Sequence, residues 1–200
     1  MTTDARHPGR RERNKQEKRE RITSAAAELF AEHGIDEVTT QQIAERADVG
    51  TGTLFLYAKT KGELLLLVQN THYAIALQKG IDAASSVALT LDAVMALLYP
   101  IIECNRVQVD NGRTYLREMV FGNAADAHHA EALGIVADTE TAITAILRRD
   151  TGTGEERAAT RARIVSAIMF LTMAADPHVE STVDEIAADV REQIAALLDA

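Results

Sequence analysis

The sequence predicts an all-helical protein of about nine helices, and three observations carry that expectation. Prolines are rare, three in 200 residues, at positions 8, 100 and 177. Ala, Leu, Glu, Gln and Arg dominate, with apolar residues recurring three and four apart, the spacing of one helix face. No segment alternates apolar and polar residues among Val, Ile and aromatics, so no strand is expected, and no internal repeat is visible.

The first helix runs from about Arg13 to His33, with Ile22, Ala25, Ala26, Leu29 and Phe30 as its apolar stripe and Gly34 as a left-handed cap. Thr39 is placed to cap a short second helix, Thr40 to Ala47, that buries Ile43, Ala44 and Ala47. Asp48-Val49-Gly50 reads as a tight turn into a third helix, Thr51 to Ala58, anchored by Leu54. A fourth starts near Thr60 or Lys61 and ends about Gln78. The others are expected at 90–105, interrupted at Pro100, and at 112–121, 127–149, 155–175 and 183–198. Thr151 to Gly154 is the most linker-like stretch, and Asp176-Pro177 a sharp stop.

The formal net charge is -9, which taken whole argues against nucleic acid as a partner. Its distribution reverses that inference. Residues 1–70 hold 11 Lys+Arg and 11 Asp+Glu, whereas residues 71–200 hold 10 and 19. All the excess acid lies in the second part. Residues 1–21 carry eight basic side chains against Asp4, Glu12, Glu17 and Glu20, so a basic arm, Arg6 to Arg21, leads into the first helix, either as a solvated helix face or as a grip on nucleic-acid phosphates or a minor groove. With a single cysteine, Cys104, there is no internal disulfide and no cysteine-based metal framework. No apolar run approaches the roughly 20 residues that span a bilayer, and no secretory signal precedes the charged start, so a cytoplasmic protein without membrane contact is expected.

Two helices joined by a short turn, the second short and outwardly polar, with a third bracing them, is the plan of a helix-turn-helix domain. Small Ala44 and Ala47 suit the approach of the second helix to the third, and Val49 plugs the turn. The segment Gly34 to Leu65, GIDEVTTQQIAERADVGTGTLFLYAKTKGELL, resembles the DNA-binding motif of the TetR family of bacterial transcriptional regulators. The resemblance rests on Thr39-Thr40, Ile43-Ala44, Ala47, Val49, Gly52-Thr53-Leu54, Phe55, Tyr57, Lys61 and Leu64, with the Ala-Ala-x-Leu-Phe and His33-Gly34 ending of the first helix. It covers about 55 residues; the remainder matches the family only in length, helix count and acidity.

The resemblance implies a basic arm over 1–12, a DNA-binding domain over 13–60 with its motif at 39–58, and a ligand-binding and dimerisation domain over 61–200. It assigns Thr40, Gln41, Thr51, Thr53 and Phe55 to base edges, and Thr39, Tyr57 and Lys61 to phosphates. The chemistry agrees: Gln pairs with adenine, Thr and Phe touch a thymine methyl, and Tyr or Lys holds a phosphate oxygen. The sequence departs from the family at Gly50, usually Ser, and at Ala58, usually a large aromatic whose space Leu56 is expected to fill.

Beyond the motif, the resemblance implies a homodimer through the last two helices, with Ile164, Ile168, Leu171, Ile186, Val190, Ile194 and Leu197 at the interface; the stripe itself would equally serve an intramolecular core. It also implies a small-molecule pocket between the middle helices, with Met95, Tyr99, Cys104, Tyr115, Met119, Phe121, Met169 and Met173 as candidate lining for a largely apolar inducer. No cofactor, metal or catalytic residue is expected. Adjacent His128 and His129 point about 100° apart on a helix and share an ion poorly, Gly50-x-Gly52 lacks the rest of a dinucleotide loop, and Cys104 has no nucleophile motif around it. The expected function is a DNA-binding regulator, a repressor released from a palindromic operator by a ligand, with helix four as the lever. The alternatives are an activator or ligand-independent regulator, and more remotely a small helical enzyme or carrier.

Overall fold

A computed structural model describes residues 10–149, 153–175 and 178–199. The arm before Arg10, the start of the linker at Thr151 and the stop at Asp176-Pro177 lie outside them. Among the described residues there are nine α-helices and no strand, and no helix is long and apolar enough to cross a membrane. The chain forms two compact units, one up to Val68 and one from Gln69 onward.

In the first unit, α1 (Arg10–Glu37) buries Ile22, Ala25, Ala26, Leu29 and Phe30, and its helical course breaks at Gly34, where φ is 76°. α1 begins three residues before the sequence suggests, so the end of the basic arm is helical. α2 (Thr40–Arg46) is opened by a capping box: Thr39 Oγ1 accepts from the Gln42 backbone N–H at 3.2 Å, and Gln42 Oε1 accepts from the Thr39 N–H at 2.8 Å. The turn passes through Asp48 at φ 50°, a left-handed conformation that Asp tolerates better than most residues. α3 (Thr51–Leu54) is only one turn long and is capped by Gly50 without a side-chain bond. Tighter turns then carry the chain to α4 (Lys61–Ser85), with Leu56 N–H donating to Thr53 O and Tyr57 N–H to Leu54 O. The division between the two units falls inside α4.

In the second unit, α5 (Thr90–Arg106) is central, touching α6 (Val109–Phe121), α7 (Ala127–Leu147), α8 (Glu155–Ala174) and α9 (Val183–Leu198). It buries Leu97, Leu98 and Ile102 completely or nearly so. The expected interruption at Pro100 does not occur: α5 continues through it, the proline removing one N–H and one intrahelical bond. Two glycines mark close crossings. A Cβ on Gly80 would lie 2.1 Å from the Leu97 carbonyl oxygen, and one on Gly112 would lie 2.1 Å from that of Asn105.

Candidate nucleic-acid interface and ligand cavity

The helix-turn-helix places its residues as the sequence anticipates in the interior and differently at the edges. Ile43, Ala44, Ala47 and Leu54 are buried, which sets α2 against α1 and α3. That packing turns Gln41, Thr51 and Phe55 outward, Phe55 being 44% exposed, while Thr40 and Thr53 are half-buried. Gln41 Nε2 donates to Glu45 at 2.9 Å, an exposed contact that a base edge can displace. Leu56 does not fill the space beside Ala58: it is 83% exposed, and Ala58 itself is buried. One-turn α3 ends before Leu56, so the residue is carried outward rather than under α4.

The three residues expected on phosphates are already engaged. Thr39 is spent on the capping box. The Tyr57 hydroxyl donates its single proton to the Lys15 carbonyl at 3.0 Å, so here it braces α1 instead of offering a donor to phosphate. Lys61 Nζ donates to the carbonyls of Ile35 at 2.8 Å and Asp36 at 3.1 Å, closing the end of α1 and leaving one of its three N–H groups. Arg21 reaches Asp48 in the turn at 3.3 Å, and Arg46 pairs with Glu28 at 3.1 Å.

The second unit holds a cavity of about 40 Å³ lined by Tyr73, Ile101, Tyr115, Leu116, Met119, Ala132, Ile135, Val136, Thr139, Ser166, Met169, Phe170 and Met173. Four of the expected residues are there, Tyr115, Met119, Met169 and Met173. The other four are not: Met95 is buried elsewhere in the core, Phe121 is 82% exposed at the end of α6, Cys104 is half-buried off the cavity, and the Tyr99 hydroxyl donates to Asp184 at 2.7 Å. One wall is rigid. The rings of Tyr73 and Tyr115 stack with centroids 4.2 Å apart. The Tyr73 hydroxyl accepts from Asn105 Nδ2 at 2.7 Å, and the Tyr115 hydroxyl donates to Asn70 Oδ1 at 3.0 Å. Asn70 in turn donates to the His128 carbonyl and to Glu131. Burial raises the pKa of both tyrosines, so the hydroxyls stay neutral. Both hydroxyls are bonded within the protein, and the space they border is apolar. Tyr73 and the α7 residues Ala132, Ile135, Val136 and Thr139 were not anticipated, although their three- and four-residue spacing on α7 is a legible stripe.

Residues 22–68 match the model of the bacterial regulatory proteins of the tetR family. The chain carries a TetR-family DNA-binding domain. Nothing among curated proteins matches it in sequence. Solved structures extend the likeness to the whole fold. The TetR-family repressor FadR of Thermus thermophilus, solved with lauroyl-CoA, is 23% identical with a TM-score of 0.70 over 90% of this chain and 92% of that one. A TetR regulator of Rhodococcus sp. RHA1 is 18% identical with a TM-score of 0.71 over 92% and 96%. A second bacterial regulatory protein of the family from Rhodococcus RHA1 is 22% identical, with a TM-score of 0.62 over 88% and 94%. Residues 22–68 are thus a tetR-type DNA-binding domain, and the helices beyond it share the fold of these solved regulators.

In this TetR-type fold the residues expected at a dimer interface separate into two groups. Ile186, Val190 and Ile194 are fully buried within the chain; α9 packs on α5 and α8, and the Arg191–Asp92 ion pair tethers it to α5. They are interior residues. Ile164 and Leu171, the latter 69% exposed, lie on α8 with half-buried Ile168 between them, and Leu197 on α9 is half-buried. The two histidines of α7 are separate: His128 Nδ1 is 3.9 Å from Glu131, whereas His129 is buried, and no cluster of three metal-binding side chains occurs among the described residues.

Proposed function

We propose that this regulator is a dimeric repressor that holds a palindromic operator and lets it go when a small, largely apolar molecule enters the second unit. The observation that carries the reading is the outward set on α2 and α3: Gln41, Thr51 and Phe55 exposed beside half-buried Thr40 and Thr53. A large aromatic left in water next to an amide and hydroxyls suits a groove where thymine methyls and adenine edges alternate. Thr40, Gln41, Thr51, Thr53 and Phe55 then read bases, and the spare N–H of Lys61 reaches a phosphate. The exposed α8 stripe of Ile164, Ile168 and Leu171, continued by Leu197, covers a second copy, which sets two recognition helices about 34–36 Å apart for successive major grooves. The apolar cavity and the acyl-CoA held by the Thermus repressor favour an acyl-type effector, acting through unequal affinity for two conformers. Operator binding also places the protein in the cytoplasm.

The test is selection of duplexes from a random pool by the full chain, followed by gel shifts. A palindromic site is expected, with Gln41→Ala and Phe55→Ala each weakening it by at least about 30-fold, since the dimer loses one base contact of about 1–3 kcal/mol in each half-site. Leu171→Glu is expected to yield monomers by sedimentation, and acyl-CoA to release the wild-type complex. Failure to enrich any duplex removes the reading.

A further inference from the structure

The domain matched to the family is poor in cations. Residues 22–68 contain Arg46, Lys59 and Lys61 against Glu28, Glu32, Asp36, Glu37, Glu45, Asp48 and Glu63, a net charge of -4. Arg46 is paired with Glu28 and Lys61 is held by two carbonyls. Duplex DNA is a dense line of phosphates, and affinity for it depends on cations that displace condensed counterions. Residues 10–21, which lie ahead of the family match, supply them: seven Lys and Arg against three Glu, a net charge of +4.

Their arrangement is directional. The buried stripe of α1 is Ile22, Ala25 and Leu29. Continued toward the N-terminus in alternating steps of four and three, the same face carries Lys18, Lys15 and Arg11, all exposed. Glu17 and Glu20 fall on the far side, where Gln16 bonds Glu20 at 2.9 Å. Two contacts fix the basic face toward the helix-turn-helix: the Tyr57 hydroxyl on the Lys15 carbonyl, and Arg21 on Asp48 in the α2–α3 turn. Among the described residues none of Arg11, Lys15 and Lys18 is ion-paired. Like charges at these spacings repel one another, a cost that disappears when phosphates stand opposite.

We propose that Arg11, Lys15 and Lys18, on the N-terminal turns of α1, form the principal phosphate-gripping surface of this regulator, with the sugar–phosphate backbone of duplex DNA as partner. The inference rests on the DNA-binding reading above and names the cations that reading lacks. It is tested with the full chain on a duplex recovered by selection, measuring dissociation constants by fluorescence anisotropy across a salt series. The triple variant Arg11→Gln, Lys15→Gln, Lys18→Gln keeps helix propensity. Its slope of log affinity against log salt is expected to be shallower by about 5.4, or 0.9 for each of the three phosphates lost by either protomer of the dimer, with base preference unchanged. Arg13→Gln, on the far face, is expected to leave the slope near that of wild type. The charge-preserving variant Arg11→Lys, Lys15→Arg, Lys18→Arg is expected to keep it, which separates charge from folding.

A triple variant with the wild-type slope overturns this inference alone, since the wild type still binds. An equal loss in Arg13→Gln or in the charge-preserving variant overturns it too. A wild-type chain that binds no duplex takes both proposals down.

Discussion

The same substitution is expected to act with opposite sign at two glycines of the second unit. At Gly112 on α6 an added Cβ would sit 2.1 Å from the Asn105 carbonyl oxygen and 2.9 Å from its Cγ and Nδ2. The first is backbone and cannot step aside, and the second is the group that donates to the Tyr73 hydroxyl. Gly112→Ala must therefore push α6 off α5 and disturb the stacked tyrosines, at a cost of about 3 kcal/mol, the upper part of the overpacking range. For a chain of this length that lowers Tm by about 6–12 °C. Gly134 lies inside α7 with nothing within 4 Å of its added Cβ. There Gly134→Ala only removes backbone freedom from the unfolded chain, a gain of about 0.5–1 kcal/mol and about 1–4 °C. Near-ultraviolet circular dichroism reads the relevant unit, because two of the four tyrosines form the stacked pair and there is no tryptophan. A Gly112→Ala protein melting within about 2 °C of wild type, or a Gly134→Ala protein melting below it, would refute the packing argument.

Arg106 Nη2 donates to the carbonyls of His178, Val179 and Ser181 at 2.7–3.0 Å; Arg106→Met is expected to cost about 2 kcal/mol and to speed proteolysis at 178–181, and unchanged cleavage there counts against it. The Thr182 backbone N–H, followed by its hydroxyl, holds the Glu185 carboxyl below the usual glutamate range. A depressed folded pKa gives stability that is present above the ordinary value and lost as pH falls through the folded one, so the advantage of wild type over Glu185→Gln in urea denaturation is expected in full at pH 7 and to shrink progressively as pH falls below the ordinary glutamate value of about 4.3. Burial pushes the Cys104 thiol up to about 11; its reaction with an aromatic disulfide reagent at pH 8 is expected to be more than about 100-fold slower than that of free cysteine, and a free-cysteine rate would contradict its placement.

Glycine separates what the sequence makes legible from what it hides. Gly34 marks the end of the regular first helix because its φ of 76° is a property of the chain itself. Gly80 and Gly112 look like similar boundaries, and the sequence accordingly suggests a fourth helix ending near Gln78 and a sixth beginning at 112. Both glycines lie inside helices, α4 and α6, because another helix's carbonyl occupies the place of their missing Cβ. That reason belongs to tertiary packing and leaves no local signal. Thr39 and Thr182 are likewise legible as caps since their partners, Gln42 and Glu185, lie three residues away, whereas Gln108 caps α6 with a side chain not favoured in that role. At the site, the outward face of α2 and α3 follows from periodicity. The engagement of Tyr57 with Lys15, 42 residues away in sequence, does not, and neither does the burial of Ile186, Val190 and Ile194, since a stripe shows that a face is covered without showing by what.

The cavity gives the proposed effector response a mechanical form. About 40 Å³ holds roughly three waters, far below the roughly 300 Å³ of a small-molecule site, so a ligand enters only by moving side chains. The walls differ in how readily they yield. Tyr73 and Tyr115 are stacked and tied through Asn105 and Asn70, whereas Met119, Met169 and Met173 are unbranched thioethers that repack at small cost. Opening is therefore directed against α6 and α8, the helices that carry those methionines. α8 also bears Ile164 and Leu171 on its exposed face, the stripe assigned to the second copy. In the proposed dimer, a ligand that displaces Met169 and Met173 acts on the helix assigned to the contact between the two copies, and its affinity for the two conformers must differ by the work of moving α8. Met169→Leu and Met173→Leu, which keep volume and lose flexibility, are expected to weaken acyl-CoA release of the operator while leaving operator affinity within about twofold; equal release by both variants would place the yielding wall elsewhere.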